Sequence, residues 1–215
     1  MRVYKPSLNV TGRPNQCKRL DIMKHLTWDM DFRPEADREK IFGGLVEGRE
    51  CGDCSACCTH LTIRTPEFQK PEGIACEHCA NPGCGIYEER FPVCREWQCL
   101  WKHIGAMPEE ARPDKLKIIF SLQRPNDPPH PFAKLYIGGW AFDGVEAYGT
   151  ELGRNLIAMF SQGDLPVWLS TPDGLGHLVH PEPNIVDMVT ERQKPKNKTE
   201  RKEAKAWAAG IKRQL

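Results

Sequence analysis

Cys51-Gly-Asp-Cys54-Ser-Ala-Cys57-Cys58 is the stretch on which the reading of this chain turns. Its pattern is C-x2-C-x2-C-C. Two-residue gaps let successive thiolates turn back onto one centre, as in zinc knuckles and iron–sulfur loops. A second group follows at Cys76-Glu-His-Cys79, Cys84, Cys94 and Cys99, so nine of the ten cysteines fall between residues 51 and 99. The same segment has few branched aliphatic side chains: Leu61, Ile63, Ile74, Ile86 and Val93 are all of them. A lobe so poor in core material needs another source of folding energy, and metal coordination supplies one.

Working outward, residues 1–50 read as a lead-in with little sheet character. Pro34 suits the first turn of a short helix through Arg38, Ile41 and Phe42, stopped by Gly43-Gly44. Residues 51–113 are the cysteine-cluster region, with 100–112 expected to continue as a helix to Pro113. From residue 114 the character changes. Lys117-Ile-Ile-Phe-Ser-Leu122 and Ala133-Lys-Leu-Tyr-Ile137 read as strands. Ala147 to Gln162 carries apolar residues at helical spacing and ends before Gly163. Val167-Trp-Leu169 and Leu175-Gly-His-Leu-Val179 flank the turn Pro172-Asp173-Gly174. The expected fold class is α+β: a metal-binding lobe with little regular structure, then a small antiparallel β-β-α-β-β unit over 114–190.

Residues 191–215 form a basic linker and C-terminal helix. Ala204, Trp207, Ala208, Ile211 and Leu215 repeat at helical spacing, after a segment rich in lysine. That stripe offers a docking face to its own domain or to a protein partner. From Glu191 onward there are nine Lys/Arg against three Asp/Glu, which leaves 21 basic against 26 acidic residues before it. The overall net charge of +1 hides this gradient.

At 215 residues, 40% hydrophobic and 27% charged, the composition is that of an ordinary globular protein. Charges spread through the first 30 residues leave no apolar run long enough for a signal peptide, and no apolar stretch of membrane-spanning length occurs. The expectation is a cytoplasmic chain without a membrane partner. Thiols there stay reduced, so clustered cysteines read as ligands rather than disulfides.

Sulfur ligands select zinc, copper(I) or iron–sulfur clusters. Zinc commonly takes two distant C-x2-C pairs, whereas Cys51, Cys54 and Cys57 resemble the first three ligands of a cluster loop. Adjacent side chains diverge, so Cys58 faces a second site or stays a spare thiol. Nine cysteines allow two four-sulfur sites with one left over, and the spacing does not assign the partition. Arg90, Arg95 and Lys102 are placed to offset thiolate charge. Trp97 and Trp101 are placed to shield the site. His60, His78 and His103 could each replace a thiol, but a histidine alone reads first as structural. Cys17 is isolated and reads as a free or buried thiol.

Cys51-x2-Cys54-x2-Cys57-Cys58, then Cys76, Cys84-Gly-Ile-Tyr87-Glu-Glu-Arg90-Phe-Pro92-Val-Cys94-Arg95 and Cys99, resembles the CxxCxxCC zinc/iron-chelating family of YkgJ-like proteins. The likeness covers about residues 51–113. It implies eight metal ligands: Cys51, Cys54, Cys57, Cys58, Cys76, Cys84, Cys94 and Cys99. Two features depart from the family pattern. Phe91 splits the usual Arg-Pro pair, and Cys79 is an extra thiol. A related cysteine cluster in flagellin lysine methylases is thought to hold an iron–sulfur centre, which is an analogy only.

The expected function is chelation of zinc or an iron–sulfur cluster, in a structural or redox role. The alternatives are an accessory component of a modifying enzyme and a zinc-dependent nucleic-acid binding module. No G-x-G-x-x-G loop, P-loop or H-E-x-x-H is present, so no enzyme is favoured and no catalytic residue is assigned. The cysteine region lacks a dense Lys/Arg patch with interleaved aromatics, so nucleic acid is not the expected partner.

Overall fold

The computed structural model describes residues 34–80, 83–124, 135–163, 165–173 and 176–180, with 197–199, 201, 202 and 205. Cys17 and the whole of the C-terminal apolar stripe lie outside the described residues. The described chain is α+β, with one small antiparallel sheet and one mixed sheet.

Helix α1 spans Pro34–Phe42 and ends at Gly43, whose amide closes on the Glu39 carbonyl at 2.9 Å. The cysteine region is built from short pieces. These are α2 (Ala56–His60), β1 (Ile63–Arg64), β2 (Gln69–Lys70) and α3 (Pro92–Glu96). Strands β1 and β2 pair antiparallel, Ile63 opposite Lys70.

The expected helix over 100–112 does not form. Two 3₁₀ turns, Leu100–Lys102 and Glu109–Ala111, precede the single turn of α4 at Pro113–Leu116. Gly105 and Pro108 interrupt any regular helix there. The carbonyls a helix would use are also taken. The Arg49 guanidinium donates to Trp101, to Ile104 at 2.8 Å, to Gly105 at 3.3 Å and to Met107.

The larger sheet runs β3 (Ile118–Gln123), β4 (Tyr136–Ala141), β5 (Val167–Ser170) and β6 (Gly176–His180), in that spatial order. The outer pairs are antiparallel, with Leu122 opposite Ile137 and Leu169 opposite His177. The central pair corrects the expectation of a wholly antiparallel sheet: β4 and β5 run parallel, Ile137 beside Val167. The reason is the connection. Helices α5 (Glu146–Gly149) and α6 (Glu151–Phe160) carry the chain back to the end where β4 began. A helical crossover joins parallel strands, whereas an antiparallel pair needs only a hairpin.

The helix expected from 147 to 162 is broken once. Thr150 adopts an extended conformation and caps α6, its hydroxyl accepting from the Gly153 amide at 3.0 Å. Tyr148 on α5 pins the parallel pair. Its hydroxyl lies 2.6 Å from the Gly139 carbonyl and 2.8 Å from that of Ser170. It accepts from the amides of Ala141 and Ser170 at 3.0 and 3.2 Å.

Ile118, Phe120 and Leu122 of β3 enter the core with Ile137, Leu156, Phe160 and Val167. The same core takes in Leu100, Trp101, Met107 and Ala111, while Ile41 and Phe42 of α1 pack against it. Residues 118–122 are buried at every position. A strand buried at successive positions is covered on both faces. The second face of β3, at Ile119, meets the cysteine region.

Candidate metal centre

One cavity of about 100 Å³ is lined by Cys51, Cys54, Cys57, Cys58, Cys76, Cys84, Cys94 and Cys99. All eight expected ligands therefore face the same space, which is floored by Ile119 of β3. Typical small-molecule pockets are roughly 300–1,000 Å³, so this one is small for an organic substrate. Among the described residues no three His, Cys, Asp or Glu side chains converge closely enough to hold one ion. The thiols ring the cavity without closing on a point.

Local backbone structure sets the ring. The Cys54 amide donates to the Cys51 carbonyl at 2.8 Å, forming the first tight turn. Helix α2 then presents Cys57 and Cys58 from consecutive positions. The Cys76 amide donates to the Cys58 carbonyl at 2.9 Å, which fixes Cys76 beside α2. Cys94 rides on α3, and Cys99 opens the 3₁₀ turn at Leu100. Phe91 stacks on Phe68 with ring centroids 4.4 Å apart. That stack ties α3 to the β1–β2 hairpin and helps form an apolar wall with Ile86 and Val93.

The apolar wall controls the thiols. Burial pushes Cys54 up to about 12 and Cys94 and Cys99 up to about 11, and it raises Cys76 as well. The hydrogen bond between Cys57 and Cys58, with burial, holds Cys57 well above the usual thiol range. The same bond draws Cys58 down to about 7 against its own burial, aided by Lys70 and Arg90.

The thiols feel one another's charge in two overlapping neighbourhoods. Cys57 is influenced by Cys51 and Cys54, and Cys99 by Cys51. Cys76 is influenced by Cys58, Cys84 and Cys79, and Cys94 by Cys58, Cys76 and Cys84. The Cys57–Cys58 bond joins the neighbourhoods.

Each neighbourhood has two cations beside it. Arg112 acts on Cys54 and Lys102 on Cys99. Lys70 and Arg90 act on Cys58. Arg112 binds Asp114 through two hydrogen bonds of 2.7 and 2.8 Å and reaches Asp53 at 2.6 Å, so it ties the first cysteine turn to α4. Lys70 is buried and donates to the carbonyls of Thr59, Pro71 and Ile74 at 3.1, 3.0 and 2.8 Å. Arg90 lies 3.6 Å over the Tyr87 ring.

Of the cations expected from the sequence, Arg90 and Lys102 line the cavity, whereas Arg95 is exposed and does not. Lys70 and Arg112 were not legible in advance. No spacing singles out Lys70, and only the nearby Asp114 hinted at an ion pair for Arg112. His78, Trp97 and Trp101 line the cavity, but His60 and His103 do not. His60 stacks on Phe142 at 3.9 Å, and buried His103 places Nδ1 3.2 Å from the Gly43 carbonyl. Cys79 stands outside the lining and pairs with Cys84 across an isolated antiparallel bridge. No helix among the described residues is long and apolar enough to cross a membrane.

Compared with known protein families, curated proteins and solved structures, the chain matches none.

Proposed function

We propose that this chain is a metal-binding protein of the CxxCxxCC type that holds zinc or iron–sulfur centres through its clustered cysteines. The observation that carries the reading is that eight cysteines spread from residue 51 to residue 99 line one small cavity. Zinc and iron–sulfur iron share this soft thiolate preference. Cys51, Cys54, Cys57 and Cys99 make one four-thiol set, and Cys58, Cys76, Cys84 and Cys94 make the other. A four-thiolate centre carries net negative charge, and the cation pairs Arg112/Lys102 and Lys70/Arg90 are placed to offset it. Binding requires the buried thiols to give up protons and turn inward, which is the usual coupling of metal uptake to proton release. The centre's role is structural or redox, and the reduced thiols it needs place the chain in a reducing compartment such as the cytoplasm.

Anaerobic purification followed by metal analysis and a visible spectrum tests this. A colourless protein with two zinc ions per chain fits zinc. A brown protein with iron and labile sulfide fits clusters. A chain that carries no metal and binds neither zinc nor reconstituted iron and sulfide overturns the reading.

A further inference from the structure

Cys79 is the cysteine that the eight-thiol ring leaves out, and its placement gives it a different use. Cys79 and Cys84 face each other across an isolated antiparallel bridge. Two hydrogen bonds flank the pair: Ala80 N–H to the Gly83 carbonyl, and Gly85 N–H to the His78 carbonyl, both at 2.9 Å. That arrangement puts the two cysteines at a non-hydrogen-bonded position of the ladder. Residues at such a position have Cα atoms about 4.5 Å apart with side chains on one face. A disulfide accepts Cα separations of about 4.4–6.8 Å, so a pair at such a position lies within its reach. Gly83 makes the tight return possible, with φ at +80°.

We propose that Cys79 and Cys84 form a reversible disulfide, and that this bond competes with metal coordination by Cys84. The competition rests on the metal-binding reading above, but the disulfide itself does not. Cys84 lines the cavity and Cys79 does not, so the two thiols sit on either side of the boundary between ligand ring and surface. The oxidant is a small-molecule disulfide such as oxidised glutathione. The Cys79 thiolate attacks it, releasing one small thiol and leaving a mixed disulfide. Cys84 then attacks the Cys79 sulfur, the mixed bond breaks, and a second small thiol leaves. Two protein thiols are oxidised to one disulfide while one external disulfide is reduced to two thiols. A metal held through Cys84 loses that ligand, and reduction restores it.

The test uses the full chain, metal-loaded and chelator-stripped, equilibrated with oxidised glutathione and mapped by peptide mass spectrometry. The expected product is a Cys79–Cys84 linked peptide that disappears with dithiothreitol and is absent from Cys79→Ser. Loaded protein should form it about tenfold or more slowly than stripped protein, because bound metal protects the thiol. Oxidation should lower bound metal in the wild type but not in Cys79→Ser. Failure of the linked peptide to form in either state overturns the proposal, as does pairing of Cys79 with any other cysteine. Equal rates with and without metal overturn the competition. A linked peptide in a chain that never binds metal leaves the disulfide standing and removes the metal reading instead.

Discussion

Gly83 lies so close to the backbone of Gly52 that a Cβ built on it would sit 2.4 Å from the Gly52 carbonyl oxygen. This contact seats the turn before Cys84 on the turn between Cys51 and Cys54. Backbone against backbone leaves nothing flexible to yield.

Gly83→Ala should therefore cost far more than Gly52→Ala. Both residues have positive φ, +80° and +53°, and a left-handed alanine costs about 1–2 kcal/mol at either. A Cβ at Gly52 meets nothing within 4 Å, whereas one at Gly83 meets the Gly52 carbonyl. Chemical unfolding and metal retention should show a mild loss for Gly52→Ala and a severe loss of metal for Gly83→Ala. Similar behaviour in the two variants would show that the contact is unimportant.

Cys57 and Cys58 should be separable by metal count. On the two-site reading proposed above, Cys57→Ser should remove a centre held with Cys51, Cys54 and Cys99. Cys58→Ser should remove the one shared with Cys76, Cys84 and Cys94. Each variant should keep about half of the wild-type metal and the double variant almost none, since losing one ligand of a four-thiolate site largely abolishes it. Complete loss in both single variants would indicate one shared cluster.

Stripping the metal under reducing conditions should open residues 51–99 and spare the sheet. Structural zinc contributes about 10–16 kcal/mol to such lobes, more than their sparse apolar contacts supply. Hydrogen exchange on the full chain should show lost protection around Cys54, Cys76 and Cys94. Protection should persist at Phe120, Ile137 and Val167, which belong to the main core. A lobe that keeps its protection after complete removal of metal would contradict this.

Alkaline pH should weaken the sheet through two tyrosines. Burial pushes Tyr136 up to about 12 and raises Tyr148 also. A raised folded-state value means the stabilising contribution is complete below the unfolded tyrosine value of about 10 and is lost as pH rises above it. Urea midpoints should be flat below that point and fall above it, with a shallower fall in Tyr136→Phe. Tyr148→Phe should also lower stability at neutral pH by about 1–3 kcal/mol, because the amides of Ala141 and Ser170 lose their shared acceptor. An unchanged alkaline slope in both variants would exclude this origin.

The gathering of eight cysteines round one cavity was legible because thiol spacing is a chemical signal carried by the chain itself. Which thiols lie near one another was not, because it depends on Cys76 docking beside Cys58 and on Cys99 lying near Cys51. The strands were legible to within a few residues from β-branched and aromatic runs. The direction of β5 was not, since alternation within a strand says nothing about the direction of its neighbour. The helix expected over 100–112 fails for a local reason, Gly105 and Pro108, and its carbonyls turn instead to the distant Arg49 side chain. Lys70 was invisible because its burial depends on the carbonyls of Thr59 in α2 and of Pro71 and Ile74 beyond β2, which only the folded chain brings together.

Arg49 and its neighbour Val46 also decide what kind of object the cysteine region is. The Val46 amide donates to the Lys102 carbonyl at 2.8 Å, and Arg49 grips the backbone from Trp101 to Met107. The two ends of the segment are thus fastened side by side on the sheet's own core. Closing a long loop is entropically costly, and here the clasp at its base bears that cost rather than the ligands. The region between is in effect a cassette held at its neck. Its base is nonetheless part of the main core, through Leu100, Trp101 and Met107, and its floor is Ile119, so the cassette belongs to this sheet.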